Sequence, residues 1–256
     1  MKINAHVLLA SFAAVWLNVG VHGDEDFQQL DGPARVALAR ERHGAAVREL
    51  CANASLAYPP TEIFLRAFKR PGELELWASD RGEPLRLLKT YAITGLGRAG
   101  APGPKRREGD LQVPEGAYRI VVFNPQSSFH LSLGLDYPNE SDRVRSDPLN
   151  PGGEIYIHGG SVSRGCLPVG DDSIEEIFLI AIDAKARGQR EIPVHIFPTR
   201  MSGADWSDLQ RRHPEHAAFW SELQPLHDAF EKTRRVPRVE ISVDGRYRLP
   251  PADGNR

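Results

Sequence analysis

The sequence predicts an α+β fold that is mainly β: a sandwich or barrel of closely spaced strands, with helical extensions at both ends. Three observations carry this. Runs in which residues two apart share polarity recur between Glu62 and Phe197, with Pro, Gly and Asn clusters between them. One clear helical run, with Ile174, Ile177, Phe178 and Ile182 at helical spacing, interrupts them. Before and after this body the spacing turns helical again. Mostly turn-like connections argue against repeated βαβ units and for an antiparallel or mixed sheet.

The chain has 256 residues, 32 Lys+Arg against 34 Asp+Glu, 41% apolar residues and two cysteines. That composition excludes a collagenous chain, a disulfide-stapled miniprotein and a charge-driven disordered chain. The near balance of charge also disfavours nucleic-acid binding through bulk positive charge. A chain of this length buries roughly 70–75% of its extended surface, enough for one core with small appendages.

In chain order, residues 1–23 hold one charge, Lys2, and then an apolar run from Val7 to Val21. The run is shorter than the ~20 residues of a membrane span, and Val21-His22-Gly23 precedes Asp24-Glu25-Asp26. These residues are predicted to be an export signal peptide, the alternative being an uncleaved amphipathic anchor. Export places the protein in the periplasm or cell envelope, with no stable membrane span after cleavage, in a compartment where two thiols are expected to pair. Residues 24–61 form a predicted N-terminal helical segment, with a helix over Pro33–Leu50 that Gly44 interrupts. Residues 62–201 form the main body. Its predicted strands are Glu62–Phe68, Glu73–Trp77, Leu85–Ile93, Ala117–Phe123, Phe129–Leu135, Glu154–His158 and Ile192–Phe197. Asp172-Ser-Ile-Glu175 resembles a capping box that opens a helix, and Gly188 ends it. Residues 202–256 form a C-terminal extension: Trp206–Lys232 as two helices broken at Pro214 or Pro225, then a hairpin around Asp244-Gly245.

Two motifs suggest ligands and fail on context. Gly95-Leu-Gly97-Arg-Ala-Gly100 matches a dinucleotide-binding pattern, but Pro102 and Pro104 forbid the helix that would face a pyrophosphate, so a mobile glycine-rich loop is expected. His213-Pro-Glu-His216 spaces two imidazoles as zinc ligands, yet Pro214 and the lack of a third ligand favour a solvated helix start. No metal or cofactor is expected.

The informative segment is Glu154-Ile-Tyr-Ile-His158-Gly-Gly-Ser-Val-Ser163-Arg-Gly165-Cys166-Leu-Pro168. A strand delivers His158 at its end, a glycine- and serine-rich loop turns the chain, and Cys166 precedes a helix. A thiol reacts as thiolate, and an imidazole within reach can take its proton and return it to a leaving amine. Gly165, lacking a side chain, lets its own N–H and that of Cys166 point at one spot, as an oxyanion requires. Arg164 adds a cation that would lower the thiol pKa. On spacing alone three readings of Cys166 stand open: a nucleophile, half of a disulfide with Cys51, and an inert core thiol.

These residues resemble the active-site motif of YkuD-type L,D-transpeptidases, exported cysteine enzymes that remodel peptidoglycan. The resemblance runs from about Glu62 to Met201. It includes the Pro104 to Tyr118 segment, which is similar to the family's lysine and proline-x-glycine-x-tyrosine stretch, and Phe129-His130-Leu131, Tyr137-Pro-Asn139 with Asp142-Arg143, and Val194-His-Ile-Phe-Pro198, which are similar to the YafK-like branch in particular. It implies a YkuD-like β-sandwich or barrel with a capping helix after the cysteine. It also implies that Cys166 is the nucleophile, that His158 is its base, that the Gly159 carbonyl orients the imidazole, and that the Gly165 and Cys166 amides form the oxyanion hole. The expected partner is a peptidoglycan stem peptide, with a peptidoglycan-linked protein as a further candidate. Because a stem peptide is anionic, Arg164, Ser163, His130, Tyr118, Lys105 and Arg143 are candidate substrate contacts. Arg164 stands where most of the family has histidine, and the interval from His158 to Cys166 is short. The expected function is L,D-transpeptidation through a thioester acyl-enzyme, with hydrolysis at the third stem residue as the alternative and non-catalytic peptidoglycan binding as a second one.

Overall fold

The computed structural model describes residues 24–251; the predicted signal peptide, residues 1–23, lies outside the described residues. Helix α1 (Asp24–Gln29) leads into α2 (Gly32–Asn53), whose start is capped by Asp31 accepting the Ala34 N–H at 2.9 Å. Gly44 does not interrupt α2. It stays helical, and its carbonyl accepts from Arg48 at 2.7 Å. The strands are β1 (Glu62–Phe68), β2 (Glu73–Ser79), β3 (Arg86–Ala92), β4 (Gly116–Asn124), β5 (Ser132–Leu135), β6 (Tyr156–His158), β7 (Leu167–Pro168) and β8 (Pro193–Phe197). Helices α3 (Glu140–Arg145) and α4 (Asp171–Ala186) interrupt them. Then come α5 (Gly203–Arg212), a 3₁₀ turn at Pro214–His216, α6 (Ala217–Thr233), and the hairpin of β9 (Glu240–Ile241) and β10 (Tyr247–Arg248).

The eight long-range strands form one mixed sheet in the order β3-β2-β1-β8-β4-β5-β6-β7. Only β1/β8 and β6/β7 run parallel. Beyond β3, Thr94 donates its N–H to the carbonyl of Pro168 in the opposite edge strand at 2.8 Å. The sheet thus curls until its two edges touch, which is how a barrel removes unpaired edges.

Several elements differ from expectation for identifiable reasons. β1 and β2 are buried on both faces rather than half-buried. The main core, which includes Ala39, Val47 and Cys51 of α2 and Ile177 and Ile180 of α4, covers one face. On the other, α5 and α6 pack Trp206, Trp220 and Leu223 against Phe68 and Phe197, and Phe230 against Phe64 and Trp77. The C-terminal break falls at Pro214, and Pro225 sits inside a continuous α6. α4 begins two residues early, with Gly170 rather than Asp172 at the N-cap and no side-chain cap, so the expected Asp172–Glu175 capping box does not form. Such a box forms instead in α3, between Asn139 and Asp142. Within the glycine-rich loop, Gly97–Gly100 forms a 3₁₀ turn with Ala99 buried.

Burial of both faces of β1 requires its one central charge to be neutralised in place. Arg66, 1% exposed, reaches Glu75 of β2 at 2.8 Å and Glu231 of α6 at 2.7 Å, between the rings of Phe68, Trp77 and Phe230. Removing one partner of a buried pair leaves the other charge uncompensated. Glu75→Ala should therefore lower unfolding free energy by about 3–5 kcal/mol in urea denaturation. A loss within the ~0–1 kcal/mol of an exposed ion pair would contradict this assignment.

Candidate active site

His158 ends β6 and is buried. Its Nδ1 lies 2.5 Å from the carbonyl oxygen of Gly159. A carbonyl only accepts, so Nδ1 carries the proton and Nε2 is left with its lone pair. The ring of Phe129 covers the imidazole at a centroid distance of 4.7 Å.

Cys166 immediately precedes β7, which pairs with β6 so that Leu167 lies beside Ile157 and Pro168 beside His158. Its half-buried Sγ accepts the N–H of Tyr156 at 3.4 Å and lies 3.5 Å from the carbonyl oxygen of Glu154. Thiol and imidazole therefore flank the same three-residue strand, two residues apart, or about 7 Å along it. The seven-residue excursion between them is kept tight by glycine. Gly165 has φ 132°, and a β-carbon there would meet the carbonyl oxygen of Gln112 at 2.8 Å. The loop also abuts the Gly95–Gly100 segment, where a β-carbon on Gly95 would fall 1.6 Å from the Ser161 carbonyl oxygen. Both cysteines are free: Cys51 is enclosed in the core on α2, which overturns the disulfide expectation.

Burial favours the neutral form of both side chains. Burial pushes the Cys166 thiol above its ordinary value, against the pull of the Tyr156 N–H and the Lys105 charge, with Glu154 pushing it further up. Burial lowers His158, opposed by its bond to Gly159 and by the charge of Asp171. The cation acting on the sulfur is Lys105, not Arg164 as expected, because Arg164 is exposed to solvent, whereas Lys105 is buried.

The other predicted site residues separate into two groups. Ser163 joins the loop: its Oγ accepts the Gly165 N–H at 3.0 Å and donates to the Cys166 carbonyl at 2.8 Å. The Gly165 amide, expected in an oxyanion hole, is thus occupied at rest. Lys105 is buried near the thiol but bound to Asp110 at 2.7 Å and to the Arg107 carbonyl at 2.9 Å, so its role is electrostatic rather than that of an exposed contact. Tyr118 and His130 face the interior. Tyr118 contacts Asp142 at 3.3 Å, and His130 lies 2.6 Å from Glu175 with Phe27 stacked on it, so neither is a surface for substrate. Arg143 is exposed on α3, beside a cleft lined by Pro138, Glu140, Pro237 and Arg238 rather than by the thiol.

Two residues that matter here escaped the sequence reading. Asp171 accepts the Gly160 N–H at 2.7 Å, and Glu175 holds His130. The sequence signal was present, since both are acids in the first turns of the helix after the cysteine, but it resembled helix capping. The His213-Glu215-His216 turn does gain the third donor that sequence spacing had not supplied: its ligand atoms lie within 4.8 Å of one another. The turn is partly exposed, and Glu215 itself approaches both imidazoles, at 3.2 Å and 3.7 Å.

Residues 73–196 match the family model "YkuD: L,D-transpeptidase catalytic domain". The chain is also 34% identical over 187 residues, 72% of each chain, to the "Putative L,D-transpeptidase YafK" of Escherichia coli K12. The chain belongs to the YkuD L,D-transpeptidase family. Among solved structures, the helical cell shape determining protein Pgp2 from Campylobacter jejuni superimposes with a TM-score of 0.42 at 18% identity, over 71% of this chain and 73% of that one. Bd1075 of Bdellovibrio bacteriovorus gives 0.40 at 20% identity, over 65% and 59%. Among the described residues, no helix of this family member is long and apolar enough to cross a membrane.

A thiol that rests protonated makes a measurable prediction for this L,D-transpeptidase domain. Alkylation of Cys166 by iodoacetamide, followed at that residue by mass spectrometry, should keep accelerating above the ordinary cysteine pKa of about 8.5. A rate already at its plateau at pH 7 would indicate a preformed thiolate and contradict the burial argument.

Proposed function

We propose that this protein is a cysteine-dependent L,D-transpeptidase of the cell envelope, acting on peptidoglycan stem peptides through a thioester. The observation that carries the reading is the placement of a half-buried sulfur at the start of one three-residue strand and of a buried imidazole, its Nε2 unprotonated, at the end of the same strand. Nε2 of His158 takes the proton of Cys166 as the sulfur attacks the carbonyl of the diamino acid at position three. The tetrahedral oxyanion is held by the Cys166 amide and by the Gly165 amide once Ser163 releases it. The imidazolium then protonates the departing amine, the carbon–nitrogen bond breaks, and the acyl group remains on sulfur. An acceptor amine attacks the thioester, His158 removes its proton, and the thiol is restored with a new amide.

Nothing up to the thioester depends on the acceptor, and water in place of the amine gives hydrolysis, which can release an attached protein. The departures at Arg164 and in the interval from His158 to Cys166, shared with the YafK-like branch, keep this second reading in view. Arg164, exposed on the cysteine loop, is the candidate to meet a stem carboxylate.

Purified peptidoglycan incubated with wild type, Cys166→Ala and His158→Gln decides among these. New cross-links lost in both variants are the expected result, with His158→Gln reduced by about 10²–10⁴-fold. Shortened or released peptides without new cross-links would select the hydrolase. Products unchanged in Cys166→Ala would remove the enzymatic reading and leave a peptidoglycan-binding module.

A further inference from the structure

The peptide that follows His158 is gripped from behind by a cluster, anchored on the buried His130 and Glu175, that the chemistry above does not use. Asp171, the first residue of α4, takes the Gly160 N–H on Oδ1 at 2.7 Å. The same oxygen crowds the preceding residue, where a β-carbon on Gly159 would lie 2.3 Å from it. From the other side the Phe129 carbonyl accepts the Gly159 N–H at 3.0 Å while the Phe129 ring rests on the imidazole. Phe129 is aimed by its neighbour. His130 has φ 71°, a left-handed conformation uncommon outside glycine, and is fixed there by Glu175 at Nε2, by Phe27 stacked at 3.7 Å, and by Arg35 donating to its carbonyl at 3.1 Å. Its Nδ1, without a hydrogen-bond partner, faces Asp171 Oδ2 at 3.9 Å.

We propose that Asp171, braced by His130, is a positioning residue for His158: it fixes the Gly159–Gly160 peptide so that the Gly159 carbonyl stays on Nδ1 and Nε2 stays free to take the thiol proton. This rests on the reading of His158 as the base. Misplacing a reacting group by about 1 Å costs on the order of 10²-fold in rate, so a clamp one residue behind the imidazole has leverage. Asp171 also acts on the imidazole by its charge, favouring the protonated form against burial. Further charges around the cradle are Glu175, Asp172 and Glu176 on α4, Arg35 on α2, Arg42 and His43 on α2, each 3.2 Å from Glu175, and Lys105 and Glu154 on the sulfur side.

The test measures acylation of Cys166 by a carbapenem, with the rate read against carbapenem concentration and pH. Asp171→Ala removes both acceptor and charge; Asp171→Asn keeps an acceptor oxygen for the Gly160 N–H. The alanine variant should acylate about 10- to 100-fold more slowly at saturation, with little change in the half-saturating concentration. The asparagine variant should recover most of that rate, with the acid limb of its pH profile moved to lower pH because the imidazole has lost a supporting charge. Acylation of Asp171→Ala within about twofold of wild type would overturn the proposal, as would Asp171→Asn being as slow as alanine with an unmoved acid limb. A wild type that is not acylated, or His158→Gln acylated as fast as wild type, overturns the reading beneath it and this proposal together.

Discussion

One hydrogen bond, from Nδ1 of His158 to the Gly159 carbonyl, decides what the rest of this site can do. With the proton held there, the other ring nitrogen can only accept. The donor and acceptor belong to adjacent residues, so the bond needs a particular backbone path immediately after β6. Much of the surrounding architecture serves that path: the Phe129 carbonyl on the Gly159 N–H, Asp171 on the Gly160 N–H, and Thr94 and Gly170 on the Gly160 carbonyl. The second residue beyond β3, the turn before β5 and the start of α4 thus converge on two glycines.

The sulfur is placed by a complementary constraint. β7 is only two residues long, and Cys166 stands just before it, where the next backbone donor of β6 points. The sulfur accepts the Tyr156 N–H, so the same strand that carries the imidazole also anchors the thiol. Burial shifts both groups toward their uncharged forms. A neutral pair avoids placing an ion pair in a partly dehydrated site and, in the proposed mechanism, leaves the proton transfer to the reaction itself.

The legible part of the sequence was the part governed by local pattern. Alternation gave the strands from Glu62, Glu73 and Ala117 with ends close to those observed, and the glycine-rich turn between a strand-end histidine and a cysteine singled out His158 and Cys166. The illegible part was governed by tertiary contact. Double-sided burial of β1 could not be read from Arg66, because a buried arginine is recognisable only once Glu75 and Glu231 are seen beside it. His130 looked like a strand residue available to substrate, but its left-handed backbone and the Glu175 carboxylate turn it inward. Glu175 looked like a cap for the same reason: four-residue patterns record spacing and not the element that packs across it. β7 was missed because two residues carry no period.

The central claim is the protonation pattern of one imidazole. Histidine-selective ¹⁵N NMR at neutral pH, with His158 assigned by comparison with His158→Gln, reads it directly. The account predicts a pyrrole-type, protonated Nδ1 and a pyridine-type, bare Nε2; the reversed tautomer, or a ring protonated on both nitrogens, would contradict it.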